Sequence, residues 1–215
     1  MLGLKFSINS AQAVPFAAVP TIGFTLQISR PSGEPLLRSI ALRSQIMIEA
    51  ARRHYEPAER ENLRDLWGEP ERWHQTLRSL LWTHATVTVP SFENEVSVDL
   101  LVPCSFDFNV AATKYFHAAR NEDIPMVFQF SGTVFYTAAN GATQIEQIGW
   151  DQESRFRLSS GIWHEMMHHY YPNSVWLRLR QDAFERLKEY KTRHGIATWE
   201  EAIESLLVAE KEKVF

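Results

Sequence analysis

Apolar and polar positions first alternate clearly at Phe24, Leu26 and Ile28, with Thr25, Gln27 and Ser29 between them. A period of two predicts a half-buried strand. Arg30-Pro31-Ser32-Gly33 then supplies a turn, the proline fixing φ and the glycine accepting a positive one. The run Ile40 to Glu49 repeats the period, with Ile40, Leu42, Ile46 and Ile48 on one face and Arg43, Gln45 and Glu49 on the other. Two neighbouring runs of matching period are expected to form an antiparallel pair.

A helical insertion over about 57–82 follows. Pro57 suits a first helical turn, Glu56, Glu59 and Glu61 suit the positive helix end, and Gly68 stops the run. Trp73, Leu77, Leu80 and Leu81 have helical spacing and predict a second helix over about 71–81. Strands resume with Ala85, Val87 and Val89 and again with Val96, Val98, Leu100 and Val102, and Pro90 between them fits a strand end. Residues 110–120 read as helical, although Phe106, Phe108 and Val110 would equally prolong a strand. Phe128, Phe130, Val134 and Tyr136 share one face of a strand over 126–136, in which Gly132 suggests a bulge. Asn140-Gly141 signals a type I′ hairpin leading into Gln144 to Ile148.

From Ser159 the chain turns helical as far as Pro172, and Leu177 and Leu179 alternating with Arg178 and Arg180 suggest one more short strand. Helices over about 181–194 and 198–210 close it, separated by Gly195, with Thr198 and Glu201 spaced as a capping box. The expected fold is α+β: a mainly antiparallel, sandwich-like β structure with a two-helix insertion and a C-terminal helical segment over about 159–212. No Gly-Ser-Pro linker interrupts it, so residues 1–215 are expected to form a single domain.

Composition narrows the function without naming one. The 215 residues carry 26 acidic and 22 basic side chains, a formal charge of −4, and a dedicated nucleic-acid binder would show the opposite balance. One cysteine, Cys104, excludes an intramolecular disulfide and a cysteine-cluster metal site. No stretch approaches the ~20 apolar residues that span a bilayer. Met1 to Pro20 lacks a basic n-region, and Lys5 interrupts its apolar run, so the cytoplasm is the expected compartment.

His164-Glu165-Met166-Met167-His168 matches H-E-x-x-H, which on a helix turns both imidazoles toward one zinc with the glutamate as general base. A zinc hydrolase would take Glu189, or Glu185, as third ligand and Tyr170 or Tyr171 as oxyanion donor. Against this, Pro172 leaves only about a turn of helix beyond His168. Trp163, Met166, Met167 and Tyr170 also have the 3–4 spacing of a buried face. The helix therefore reads first as structural, and no residue is assigned outright as catalytic, metal-binding or cofactor-binding. Cys104 reads as a buried structural thiol, and Asp99 and Asp107 as turn or edge residues. Arg52-Arg53-His54, bracketed by Glu49 and Glu56, reads as a solvated or ion-paired strand end rather than a phosphate site. No P-loop, Rossmann or G-x-S-x-G pattern occurs, so no cofactor is expected.

Seven tryptophans and thirteen phenylalanines exceed what a core of this size requires and suggest an exposed binding surface at Trp67, Trp73 or Trp176. The blocks Ile40–Glu49, Leu66–Trp73, Val102–Phe108, Phe130–Tyr136 and Tyr171–Leu179 together resemble an uncharacterised bacterial domain of unknown function, over roughly residues 20–195. Genes of that family often lie near those for uptake nickel–iron (NiFe) hydrogenases. The resemblance thus implies an accessory or assembly role, with a hydrogenase subunit or maturation factor as partner. The order of Gly132–Tyr136, Ser159–Tyr170, Tyr171-Pro172 and Val175–Leu179 is similar to that of the export chaperone SecB, which implies a protein that holds extended polypeptide. The expected function is a non-enzymatic, protein-binding assembly factor. A zinc hydrolase and a structural homo-oligomer subunit are the alternatives.

Overall fold

The computed structural model describes residues 2–33, 35–104, 110–119, 123–174, 177 and 179–211, with the side chains of Val110 and Lys211 left out. The chain divides into two compact units, residues 1–173 and 174–215. The fold is α+β, built on two antiparallel sheets.

In the first unit, β1 (Lys5–Ala13), β2 (Thr21–Ser29) and β5 (Glu95–Pro103) form one sheet in the order β1-β2-β5. The other sheet runs β4 (Leu80–Val89), β3 (Leu37–Ile48), β6 (Ile124–Thr137), with β7 (Thr143–Gln147) and β8 (Glu153–Leu158) both on the far edge of β6. The expected β2–β3 pair does not form: β2 pairs with β1 and β5, and β3 with β4 and β6. Matching periods placed both strands' apolar faces correctly, since Ile22, Phe24, Leu26 and Ile28 of β2 and Ile40, Ile46 and Ile48 of β3 are fully buried. Those faces meet across the sandwich instead of lying side by side. Phe24 packs edge-on against Phe128 of β6 with centroids 5.0 Å apart, and Phe6 of β1 stacks on Phe130 at 4.8 Å.

Two strands were not anticipated. β1 hides its alternation after Ile8, where its register against β2 shifts. The Ile8 N–H donates to Ser154 Oγ of β8 at 3.0 Å, a bond between strands of the two different sheets. β8 is short, and only Ser154 and Leu158 are buried on it.

Gly132 does not bulge the β3–β6 ladder, whose register runs unbroken from Ser39 to Ile48. It sits where the other edge of β6 passes from β8, paired up to Gln129, to β7, paired from Thr133. Its φ is 148°, and a Cβ would drive into the Ala41 carbonyl oxygen, so only glycine fits. The β6–β7 turn also differs from expectation. Asn140 is not among the positive-φ residues and only Gly141 is left-handed (φ 78°), closing a three-residue loop between Ala138 and Ala142 in place of a type I′ turn.

The insertion holds α1 (Pro57–Asn62), α2 (Arg64–Trp67) and α3 (Trp73–Thr76), shorter than the two helices expected. Leu80 and Leu81 were read as the end of a helix over 71–81 but belong to β4, paired with Ile48 and Met47, because ladder hydrogen bonds outweigh a weak helical preference. α4 (Val110–Ala118) and α5 (Ser160–Tyr170) complete the first unit, with Trp163 stacked on Phe116 at 5.6 Å. Phe106, Asp107 and Phe108 lie outside the described residues.

The second unit contains α6 (Gln181–Arg193) and α7 (Trp199–Lys211). Gly195 takes the left-handed conformation (φ 62°) after α6. The expected capping box forms, the Glu201 N–H donating to Thr198 Oγ1 at 3.2 Å and the Thr198 N–H to Glu201 Oε2 at 3.4 Å. Of the strand expected near Leu179, residues Val175, Trp176 and Arg178 lie outside the described residues. Among the described residues no helix is long and apolar enough to cross a membrane.

Gly132→Ala is expected to destabilise the protein by about 3 kcal/mol or more, or to leave it insoluble, because strain and a backbone clash coincide. Ser44 is the contrasting case: fully buried on the inner face of β3, its hydroxyl has no hydrogen-bond partner among the described residues. Ser44→Ala should therefore leave stability unchanged or raise it by about 1 kcal/mol. Paired urea melts of both variants read the two outcomes.

Candidate functional site

Helix α5 carries His164, Glu165 and His168, and the structure gives the first of these a structural job. His164 is half-buried, and its Nε2 lies 2.9 Å from the Ala119 carbonyl oxygen. A carbonyl only accepts, so Nε2 carries the proton and is spent on tying α5 to the end of α4. Trp163 and Met166 are buried beside it, while Glu165 and His168 are exposed. Tyr170, considered as an oxyanion donor, directs its hydroxyl to the carbonyls of Val14 (3.1 Å) and Ala17 (3.0 Å) and clamps the loop after β1. Glu185 and Glu189 belong to the second unit. Among the described residues, no three His, Cys, Asp or Glu side chains are grouped to hold a metal ion.

The loop clamped by Tyr170 holds Phe16 at a φ of 58°, a strained conformation for a bulky residue, with its ring 91% exposed. Cys104 is half-buried, donates to the Val102 carbonyl at 3.3 Å, and has its thiol pushed up to about 12 by burial, so it stays protonated at neutral pH. Asp99 lies exposed within β5.

The richest chemistry lies in the helical insertion. Trp73, expected on the surface, is 5% exposed, and Trp67 packs half-buried against the same core. Both enclose Tyr55, with ring centroids at 5.5 and 5.6 Å, and Tyr115 of α4 lies 5.5 Å from Trp67. These two tryptophans were misplaced because the residues that cover them, Tyr55 and Tyr115, are remote from them in sequence. The Tyr55 hydroxyl donates to the Ala50 carbonyl at 2.8 Å, so at the 3.2 Å contact between the two phenols Tyr115 is the donor.

Beneath Tyr55 runs a buried ion pair. Arg53 Nη2 meets Glu59 Oε1 at 2.7 Å, and the guanidinium lies 5.2 Å from the Tyr55 ring centroid. Burial alone would favour loss of the proton, but the hydrogen bond and negative charge of Glu59 outweigh it and hold the arginine pKa above its ordinary value. The Arg52-Arg53-His54 run therefore divides. Arg52 is a surface partner of Glu49 at 3.2 Å, as a strand-end reading expects, while Arg53 is interior. A sequence signal for this exists in the opposite charge of Glu59, which α1 turns back toward residue 53 through its Glu56 N–H to Glu59 Oε2 bond of 3.2 Å.

A cleft of about 280 Å³ opens beside this cluster. Arg53, His54, Arg60 and His74 line it together with Tyr55 and Trp73. Arg60 and His74 were missed in the sequence, where nothing sets them apart from other surface charges of the insertion.

The fold is α+β and sandwich-like, and the chain belongs to the family of unknown function DUF6084, whose model matches residues 1–214. No curated protein and no solved structure matches the chain.

Burial pushes the phenols of Tyr55 and Tyr115 above the ordinary range. Below pH ~10 both folded and unfolded chains hold these protons, so stability is unaffected; above it only the folded chain does, and stability falls as pH rises. In an alkaline titration, two tyrosines should ionise only as the circular dichroism signal collapses. His164→Ala should cost about 1 kcal/mol, read as a lower melting temperature, and leave metal content unaltered. A stoichiometric zinc lost with that change would make His164 a ligand after all.

Proposed function

We propose that this protein is a non-enzymatic binding or assembly factor, an accessory protein to a metalloenzyme such as a nickel–iron hydrogenase. The observation that supports binding is the second unit. Its α6 buries no residue, and among the described residues of the unit Ala202 is the one buried apolar side chain, while Trp199, Ile203, Leu206, Leu207 and Val208 of α7 are exposed. Phe184 and Trp199 have ring centroids 5.2 Å apart, Lys191 Nζ lies 5.3 Å from the Trp199 ring, and Tyr190 Oη meets Ser205 Oγ at 2.8 Å, so among the described residues the helices meet through contacts near the surface. Two helices with so little interior gain most of their stability from packing an apolar face on something else. The exposed apolar run of α7 is the kind of strip that anchors a helix in a partner's groove.

The hydrogenase is the choice of partner implied by the family resemblance and rests on that alone. The reading is carried by binding through side chains, without bond making or breaking, and it makes α7 the contact.

Affinity purification of tagged protein from its native cells should yield a hydrogenase subunit or maturation factor in fixed stoichiometry. Leu206→Asp with Leu207→Asp should abolish that recovery while the circular dichroism spectrum of the rest is retained. Recovery unaffected by the double change would remove α7 from the interface. A protein that is alone under mild conditions, and by light scattering a defined homo-oligomer, would overturn the accessory role in favour of a structural subunit.

A further inference from the structure

We propose that the cleft beside Tyr55 and Trp73 binds a carboxylate attached to a small apolar or aromatic body. This inference is independent of the accessory role and of helix α7.

Charge comes first. The protein as a whole is acidic, at −4, yet the cleft is lined by two arginines and two histidines, and among the described residues no acidic one lines it. Arg53 is committed to Glu59 and serves as floor. Arg60 is different. Its Nε donates to the Tyr55 carbonyl at 2.8 Å, which fixes the plane of the guanidinium, and among the described residues no carboxylate pairs with it. Two terminal nitrogens held in a known plane match the two oxygens of a carboxylate, the geometry for which arginine is better suited than lysine. His54 is exposed. His74 spends Nδ1 on the Glu71 carbonyl at 2.8 Å, and its Nε2 is left over. Both are thus available as additional polar contacts at the rim.

The walls decide what the rest of the ligand looks like. The indole N–H of Trp73 donates to the Gly68 carbonyl at 3.0 Å, and the Tyr55 hydroxyl is spent on Ala50. Each aromatic has already used its polar handle inside the protein, so what remains for a ligand is apolar surface, extended by Leu77. Such walls reward a ring or branched alkyl group and offer little to a sugar or polyol. A volume of about 280 Å³ accommodates one ring with its carboxylate. The buried Arg53–Glu59 pair and the packed rings keep the cleft formed before a ligand arrives, which limits the ordering cost of binding.

The carboxylate has two sources, a free small acid or the C-terminal residue of a polypeptide. Titration calorimetry on the full chain distinguishes them with 3-phenylpropionate, N-acetyl-Leu-Phe bearing a free carboxylate, the same dipeptide as its amide, and inorganic phosphate. Both carboxylates are expected to bind, the amide about tenfold more weakly or worse, and phosphate more weakly than either. Tighter binding of the dipeptide acid assigns the cleft to chain termini, and tighter binding of phenylpropionate to free acids. Arg60 is on the surface, so Arg60→Ala should fold normally and lose about tenfold or more in affinity, with Arg60→Lys recovering part of it. Heats that are absent for both carboxylates, equal for acid and amide, unchanged in Arg60→Ala, or larger for phosphate would each overturn the proposal.

Discussion

Phe24 is the point on which the first unit turns. Fully buried in the middle strand of its sheet, it contacts Phe128 and Phe156 of the opposing sheet and Trp82 of β4. Trp82 passes the contact to Phe116 at 5.0 Å, and Phe116 reaches both Trp163 of α5 and Tyr115. From Tyr115 the same ring-to-ring packing runs to Tyr55 and Trp67, and so to the cleft. Among the described residues most aromatics are thus buried or half-buried, and in the first unit they are the packing that joins the sandwich to α4, α5 and the insertion. Edge-to-face pairs of this kind add about 0.5–1.5 kcal/mol each beyond the area they bury.

A buried charge at the end of that path changes its meaning. An interior ion pair gives little net stability against well-packed apolar groups, because both ions lose their hydration. Arg53 and Glu59 are nonetheless held by good geometry, and what they supply is position. They fix the segment from Ala50 to Arg60 against α1, which sets the Tyr55 carbonyl where it can orient Arg60. The outer arginine is placed by the inner one, although the two do not touch a common carboxylate among the described residues.

Much of the fold was legible because period is a local property. The faces of β2, β3 and β6, the Thr198 capping box and the limits of α5, α6 and α7 follow from residues a few positions apart. Neighbours are a different matter. Phe24 alternates whether its strand lies beside Ile40 or opposite it, so the sequence signalled burial and left the sheet unspecified. Trp73, Leu77, Leu80 and Leu81 satisfy a helix until Ile48 offers Leu80 a ladder. The site was legible only in part for the same reason. The H-E-x-x-H pattern was visible but its first imidazole is held by Ala119, and the Arg53–Glu59 pair became visible only with α1 folded.

The order of the strands also sets a timetable for the chain. Among the described strands, only β1–β2 and β6–β7 join strands that follow one another through a short connection; β3 hydrogen-bonds to β6 across separations such as 84 and 99 residues, and β2 meets β5 across 68. Loops of that length must close before their pairings contribute, which slows folding in proportion to how non-local the contacts are. On the ribosome, β3 emerges with one edge of its ladder unfilled until β6, some 80 residues later, has left the exit tunnel. The fully buried isoleucines of β3 are therefore the part of this protein most in need of protection while it is being made.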